Sequence, residues 1–149
     1  MRAVLQRVLN ASITVDGNTV ASIGKGLCVL CGFTHGDTEE DLRRMIQKII
    51  ALRIFEDDGG VMNLSLHDIN GELLVIPQFT LFGDARKGRR PSFSSAMEPS
   101  LAKKTFSLFM EMCKDEHPCT RAGIFGAHMQ VELINDGPVT ILLDSSRLF

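Results

Sequence analysis

The amino-acid sequence predicts an α+β fold: a single domain over residues 1–149 in which two main helices pack on a curved, mostly antiparallel sheet. Three observations lead to this prediction. Strand-like segments recur along the whole chain, helical periodicity is confined to two stretches, and no repeat or linker divides the sequence. Because 44% of the residues are hydrophobic, a chain of this length can bury a substantial core.

The N-terminal segments predict a hairpin followed by a buried strand. Residues 2–16 alternate and are rich in β-forming side chains, and residues 16–18 (Asp-Gly-Asn) are a turn signal. Residues 19–23 then supply the second arm of the hairpin. The apolar run at residues 27–33 predicts a strand that is buried on both faces.

Cys28 and Cys31 lie in this apolar run with the C-x-x-C spacing that zinc and redox sites use. Residues three apart on a strand point to opposite faces, so two such thiols cannot bind one metal ion. We therefore interpret them as small buried side chains and expect neither a metal nor another cofactor. The sequence shows no signal peptide and no apolar stretch of membrane-spanning length, which predicts a cytoplasmic protein without a membrane partner.

Two stretches have helical spacing. Asp37 or Thr38 is expected to cap the first helix, which has acidic residues in its first turn and extends to about Leu52. The second helix is expected to open at residues 99–100 and to end at residues 117–118 (His-Pro). Its apolar face is predicted to comprise Leu101, Thr105, Leu108, Phe109 and Met112.

The remaining strands surround two prolines. Residues 72–81 predict a strand in which Pro77 marks an edge, a bulge or a strand end, because proline cannot donate to a central ladder. Residues 129–134 and 139–143 predict strands on either side of a sharp turn. The pattern alone favours a simple hairpin turn. The alternative is a cis bond at Gly137-Pro138, which would present the glycine carbonyl as a rigid acceptor.

The charge distribution limits nucleic-acid binding to one loop. A net charge of −2 and an isoelectric point near 6.1 argue against indiscriminate binding, which usually requires a basic domain. Arg86, Lys87, Arg89 and Arg90 nevertheless place four cations within five residues. Phosphate binding and a plain solvated loop are equally compatible with this run.

Familiar catalytic motifs are missing from the sequence. The four histidines are scattered, and no zinc-protease, nucleophile-elbow or phosphate-loop motif is present. Residues 77–81 offer a different chemistry, because a proline that interrupts the ladder can leave the next N–H groups free to stabilise an oxyanion. Gln78 and Thr80 would add an amide and a hydroxyl beside them. From the pattern alone, a plain edge strand is the favoured interpretation.

Taken together, these segments resemble the D-aminoacyl-tRNA deacylase family, whose motifs read Ser-Gln-Phe-Thr-Leu and Asn-x-Gly-Pro-Val-Thr. The matching segments here are PQFTL at 77–81 and NDGPVT at 135–140, with further similarity at 3–8 (AVLQRV), 52–57 (LRIFED), 87–93 (KGRRPSF) and 123–131 (GIFGAHMQV). Pro77 replaces the usual serine, as in an animal branch that removes L-alanine from mis-charged tRNA. That branch differs after the glutamine and lacks Val-Thr, so Phe79 and NDGPVT place this chain with the D-specific enzymes.

The resemblance implies a proofreading hydrolase that cleaves D-aminoacyl-tRNA, and glycyl-tRNA mischarged on tRNA-Ala, without a cofactor. It further implies a homodimer in which a cis Gly137-Pro138 element of one subunit reaches into the active site of its partner. That element would reject L-amino acids with its backbone, and Arg7 would fix its orientation.

The same resemblance implies roles for the other motif residues. Gln78, Phe79 and Thr80 would line the catalytic pocket, with the Phe79 N–H near the scissile carbonyl, while the terminal ribose 2′-hydroxyl activates water. The region that holds the terminal adenosine would include Phe125, Gly126 and Met129. The cations suggested for the acceptor-stem phosphates, on charge more than on motif, are Arg86, Lys87, Arg89 and Arg90.

Three alternatives remain open from the sequence. The first is a non-catalytic tRNA-binding module that uses the basic loop. The second is a small-molecule hydrolase in which Thr80 is a true nucleophile. The third is a relative of the branch that removes L-alanine, because Pro77 stands in place of serine in both.

Overall fold

The structure, a computed structural model, describes residues 1–148. In chain order its elements are β1 (Arg2–Val15), β2 (Asn18–Ile23), β3 (Gly26–Gly32), α1 (Glu39–Ala51), β4 (Phe55–Glu56), β5 (Met62–Leu64), β6 (Glu72–Pro77), a one-turn 3-10 helix (Phe79–Phe82), α2 (Pro99–Glu116), β7 (Thr120–Ala122) and β8 (Gln130–Asp144). The α+β class and the two predicted helices are confirmed. Within the described residues, no helix is long and apolar enough to cross a membrane.

One six-stranded sheet organises the molecule. Its order is β2-β1-β3-β6-β7, and β8 pairs with β1 as well. The three pairings of β1 are antiparallel, whereas β3–β6 and β6–β7 are parallel. Parallel neighbours need a crossover connection, and here α1 with the short β4–β5 hairpin provides the first and α2 provides the second. The sheet is therefore mixed, with three antiparallel pairings and two parallel ones.

The sheet buries side chains on both faces. Leu27, Val29 and Cys31 of β3 face the helices, whereas Cys28 packs in a second cluster on the opposite face. The outer half of β1 and strand β2 curl over that second cluster, which gives the sheet its curvature. The two cysteines of the C-x-x-C pair therefore point to opposite faces, as the strand prediction requires. Burial raises the pKa of the Cys28 thiol to about 11.

The helices begin where the sequence predicts. Thr38 caps α1 in a capping box with Asp41. Glu98 caps α2, and Pro99 occupies its first turn. The predicted face of α2 was wrong by about one residue, since Leu101 is 46% exposed. The side chains of α2 that are buried against the sheet are Ala102, Phe106, Phe109, Met110 and Cys113.

Two strand predictions also need correction. The strand predicted for residues 72–81 ends at Pro77, because the chain turns there into the 3-10 helix. Residues 129–134 and 139–143 are not the arms of a hairpin, since both pair with β1 in the same direction as parts of one strand, β8. The short strands β4, β5 and β7 have no equivalent among the sequence predictions.

Candidate active site

A cavity of about 440 Å³ opens at the carboxyl ends of the parallel strands β3 and β6, beneath the start of α2. Crevices at the carboxyl ends of parallel strands are where open sheets commonly bind ligands. The lining residues from these elements and the adjoining loops are Cys31, Gly32, Phe33, Pro77, Gln78, Phe79, Phe93, Ala96, Met97, Glu98, Pro99, Ala102, Phe125 and Gly126. The cavity therefore contains Gln78, Phe79, Phe125 and Gly126 from the predicted site.

The segment after β6 forms one wall of this cavity. The Gln78 N–H donates to the Cys31 carbonyl across 2.7 Å, and the Gln78 side-chain amide donates to the Thr80 hydroxyl. No side chain caps the 3-10 helix, and the first N–H groups of a helix have no acceptor within it. Phe79 thus lines the cavity, and its N–H has no capping side chain. Thr80 itself is exposed and is not among the lining residues.

Gly32 allows this wall to come close to β3. A Cβ atom at this position would lie 2.7 Å from the Gln78 carbonyl oxygen, which is closer than carbon and oxygen can approach without a shift. Any side chain at position 32 would therefore displace the backbone of the Gln78–Phe79 segment.

Two exposed aromatic rings form the rim of the cavity. The Phe79 side chain is 58% exposed and meets Phe93 edge to face, with 5.2 Å between ring centroids. Phe93 belongs to the KGRRPSF segment, and it is not among the predicted site residues. Its partner lies 14 residues away along the chain, and no local pattern reveals such a contact.

Of the three residues predicted to hold the terminal adenosine, the fold brings two to the cavity. Phe125 and Gly126 line the cavity, and the Phe125 ring packs against Phe106 of α2 at 6.1 Å between centroids. Met129 does not reach the cavity and packs instead against the cluster on the other face of the sheet.

The basic loop is a closed turn beside the cavity rim. Asp84 and Ser92 exchange two backbone hydrogen bonds at its base, of 2.7 and 2.9 Å. The Arg86 guanidinium donates to both carboxylate oxygens of Asp84, and these bonds hold the pKa of Asp84 well below its usual range. The Arg86 charge is therefore already paired with that of Asp84. The three cations that remain exposed at the tip, with no ion pair to a described residue, are Lys87, Arg89 and Arg90.

The Gly137-Pro138 segment forms a wide bulge in β8. Gln6 of β1 pairs with Thr140, and Val8 pairs with Asn135. Four residues, 136–139, consequently lie opposite the single β1 residue Arg7. They do not pair with β1. The bulge is a detour within one strand rather than a turn between two.

Arg7 is the β1 residue that faces this bulge, and it is buried. Its Nε donates to the Asp136 carbonyl oxygen and its Nη1 to the Ile54 carbonyl oxygen, each at 2.8 Å, while Glu56 forms an ion pair at 3.4 Å. The Gly137-Pro138 peptide bond is cis, and both residues are exposed. Neither they nor Arg7 line the cavity, so the predicted site lies in two separate regions of the chain.

The cavity offers little acid–base chemistry. None of the described residues that line it is a histidine, serine, threonine or lysine. Burial, and secondarily the neighbouring Cys113, raises the pKa of Cys31 far above neutral pH, so its thiol stays protonated. Hydrogen bonds from Ser100 and Leu101 engage the Glu98 carboxylate at the start of α2 and lower its pKa. The arrangement can position a substrate and donate hydrogen bonds, but it offers no evident nucleophile.

Comparison with known proteins gives a consistent result. A family model described as D-Tyr-tRNA(Tyr) deacylase matches residues 4–144. D-aminoacyl-tRNA deacylases of Thermosipho africanus and Clostridioides difficile are 56% and 58% identical to this chain over 149 residues, which covers all of both chains in each case.

Two solved structures have the same fold. One, named c-Myc DNA Unwinding Element Binding Protein, is 42% identical with a TM-score of 0.92, and the match covers 97% of this chain and 98% of that one. The other, described as a probable eukaryotic D-amino acid tRNA deacylase, is 18% identical with a TM-score of 0.83 over 95% of this chain and 97% of that one. The family model and the full-length relatives together show that this chain belongs to the D-Tyr-tRNA(Tyr) deacylase family.

Proposed function

We propose that this chain is a D-aminoacyl-tRNA deacylase, which hydrolyses the ester between a D-amino acid and the terminal ribose of tRNA. Family membership supports the substrate class. The observation that supports the mechanism is the cavity at the ends of β3 and β6, which is lined by Phe79 with its uncapped N–H and offers no evident nucleophile. Such a site suits an ester that is already labile and needs mainly to be positioned.

In the proposed reaction, the ester carbonyl lies against the Phe79 N–H. Water adds to the carbonyl carbon, and the N–H group stabilises the negative charge that develops on the carbonyl oxygen. The ribose 2′-hydroxyl orients the attacking water and assists its deprotonation. The bond between the carbonyl carbon and the 3′-oxygen then breaks, and the 3′-oxygen takes up the proton. Thr80 is exposed and lies outside the lining of the cavity, so in this reaction its hydroxyl is not the nucleophile.

The proposed basis of chirality is a homodimer. The bulge at Gly137-Pro138 is exposed and lies apart from the cavity of its own chain, so it is available to enter the cavity of a second copy. Exposed hydrophobic side chains on β1 and β8, among them Leu9, Ile134 and Leu142, offer apolar surface for that contact. The backbone of the partner's bulge would collide with an L side chain and leave room for a D side chain or for glycine.

The tRNA would approach across the rim of the cavity. Phe125 and Gly126 would hold the terminal adenosine, and Phe79 with Phe93 would border its entrance. The exposed cations of the loop that are free to contact acceptor-stem phosphates are Lys87, Arg89 and Arg90. Arg86 supports the loop through Asp84 instead.

A chirality-resolved deacylation assay tests this function. The purified protein is incubated separately with D-Tyr-tRNA, L-Tyr-tRNA, L-Ala-tRNA and Gly-tRNA-Ala, and the remaining ester is followed with time. We expect rapid loss of the D-tyrosyl and glycyl esters while the L-tyrosyl ester is spared. Tight tRNA binding without turnover would support a binding module instead. Preferential cleavage of L-Ala-tRNA would place the chain with the L-alanine-removing branch.

A further inference from the structure

We propose that Gln6 and Asn135 act as positioning residues for the Gly137-Pro138 bulge and thereby contribute to the selection of D over L substrates. This inference rests on the proposed function, because it assigns these side chains to the bulge that would discriminate between the two. Neither residue has a role in the predicted site, and neither lines the cavity.

The contacts of the Asn135 side chain carry the argument. Its Oδ1 accepts from the Val139 N–H at 2.7 Å, and its Nδ2 donates to the Val139 carbonyl oxygen at 3.1 Å and to Gln6 Oε1 at 2.8 Å. One amide thus satisfies both backbone groups of Val139, as a residue on a neighbouring strand would. Asn135 supplies this substitute pairing where β8 has left β1.

The bulge is consequently fixed at both of its ends. At the first end, buried Arg7 holds the Asp136 carbonyl oxygen at 2.8 Å. At the second end, Asn135 holds the backbone of Val139, whose side chain is buried in the core. Gly137 and Pro138 therefore lie between two anchored residues.

Close packing inside the bulge supports the same conclusion. Gly137 has a φ of +138°, a conformation that L side chains rarely adopt. A Cβ at this position would lie 2.6 Å from Val139 Cγ2 and 3.3 Å from Arg7 Nη2. Gly137 therefore packs closely against Val139 and Arg7, and a shift of either residue would disturb the bulge.

Position 135 requires a side chain that has both a hydrogen-bond acceptor and a donor, and a substitution can remove the donor alone. An aspartate at position 135 keeps the acceptor for the Val139 N–H but loses the donor. It would place a charged oxygen against the Val139 carbonyl oxygen, a fixed acceptor that is now 3.1 Å from Nδ2, whereas the Gln6 amide can turn to donate to it. The second end of the bulge would be repelled while the shape of the side chain is nearly unchanged.

The experiment compares Asn135→Asp with wild type in deacylation of D-Tyr-tRNA and L-Tyr-tRNA. We expect the ratio of the two kcat/KM values to fall roughly tenfold or more, because a small displacement of a positioning group is costly. Asn18→Asp is the matched control: Asn18 is the first residue of β2, its side-chain amide donates only to the exposed Asp16 carbonyl oxygen among the described residues, at 3.2 Å, and its ratio should stay at the wild-type value. Circular dichroism and thermal unfolding establish that each variant is folded.

A second variant decides the matter if Asn135→Asp does not fold. Gln6→Leu removes the acceptor for Asn135 and leaves the contacts with Val139 in place, so the ratio should fall by about threefold. Gln6→Glu keeps that acceptor and should restore most of the loss.

The outcomes separate this inference from the proposed function. If the wild-type protein fails to prefer D-Tyr-tRNA, the proposed function is wrong. If the wild type discriminates but the folded Asn135→Asp variant, or Gln6→Leu in its place, keeps the wild-type ratio, the positioning role is overturned. A lower melting temperature with an unchanged ratio would mean that these side chains only stabilise the strand.

Discussion

The cavity and the Gly137-Pro138 bulge are built in opposite ways. The cavity is a space between mostly apolar side chains at the ends of β3 and β6, and the uncapped Phe79 N–H belongs to one of its lining residues. The bulge is exposed backbone that is held in place by buried or half-buried polar side chains, chiefly those of Arg7 and Asn135. One region provides room and hydrogen-bond donors, and the other provides a fixed shape.

This difference indicates that substrate selection depends on the position of the backbone in both regions. Neither region offers an evident general base or nucleophile, so the proposed chemistry depends on where the backbone is placed. Substitutions that move the backbone of either region should therefore have larger effects than substitutions that remove a reactive side chain.

The largest effect is expected from Gly32→Ala, which tests the cavity. The added methyl group would lie 2.7 Å from the Gln78 carbonyl and must displace the wall that carries the Phe79 N–H. We expect kcat for D-Tyr-tRNA to fall roughly 100-fold. Gly24→Ala is the control, since Gly24 lies outside the cavity and its Cβ would meet only a carboxylate oxygen of Glu72, at 3.3 Å. Wild-type kcat in a folded Gly32→Ala protein would contradict the proposed position of the wall.

The basic loop should contribute binding rather than chemistry. Replacing both Arg89 and Arg90 by alanine is expected to raise KM about tenfold, to leave kcat unchanged and to weaken the dependence of KM on salt. Arg86→Ala is the comparison within the same loop and should raise KM less, because it removes one cation instead of two and that cation is held by Asp84. Equal effects of the two changes would show that the loop rearranges when tRNA binds.

Thr80→Ala should have a small effect, which sharpens the distinction between positioning and nucleophilic catalysis. The hydroxyl accepts from Gln78 but does not line the cavity, so activity should remain within about threefold of wild type. Removal of a true nucleophile would instead cost at least about 10⁴-fold in single-turnover rate. A loss of that size would favour the hydrolase with a covalent intermediate.

Thr38→Ala lies outside both regions and should change stability alone. The Thr38 side chain caps α1, and its loss is expected to cost about 1 kcal/mol of unfolding free energy with kcat unchanged.

Hydrogen bonds from Thr38 lower the pKa of Asp41 in the folded protein. The stabilisation from Asp41 is therefore present above its unfolded pKa of about 3.9 and is lost as pH falls through the lower folded value. Urea unfolding at pH 7 and at pH 3 should show a smaller difference between variant and wild type at pH 3.

The sequence predicts local structure well and pairing less well. The strand, turn and capping signals locate β1 to β3 and both helices to within one or two residues. The turn at 135–138 looks like a hairpin because a single sequence does not reveal that both flanking segments pair with β1. The face of α2 is likewise set by contact with the sheet, since two adjacent stripes of the helix have apolar character.

The residues of the candidate site also fall into those that motifs predict and those that depend on tertiary contacts. Gln78, Phe79, Phe125 and Gly126 were identified through motifs, and the fold brings all four to one cavity. Phe93 was missed because its contact with Phe79 depends on how the loop of residues 83–93 closes. The role proposed for Asn135 also depends on the register between β1 and β8, which no motif contains.

The central claim is that each active site combines the cavity of one chain with the Gly137-Pro138 bulge of its partner, and mixed dimers test it most directly. Gly32→Ala damages the cavity, and Arg7→Ala damages the bulge, so neither homodimer should cleave D-Tyr-tRNA with normal selectivity. Mixed dimers, isolated with two different affinity tags, would combine the intact cavity of one chain with the intact bulge of its partner. We predict that they recover the wild-type preference for D-Tyr-tRNA over L-Tyr-tRNA, at about half the wild-type rate because one of two sites is intact. Activity and selectivity equal to the average of the two parent homodimers would contradict the shared site.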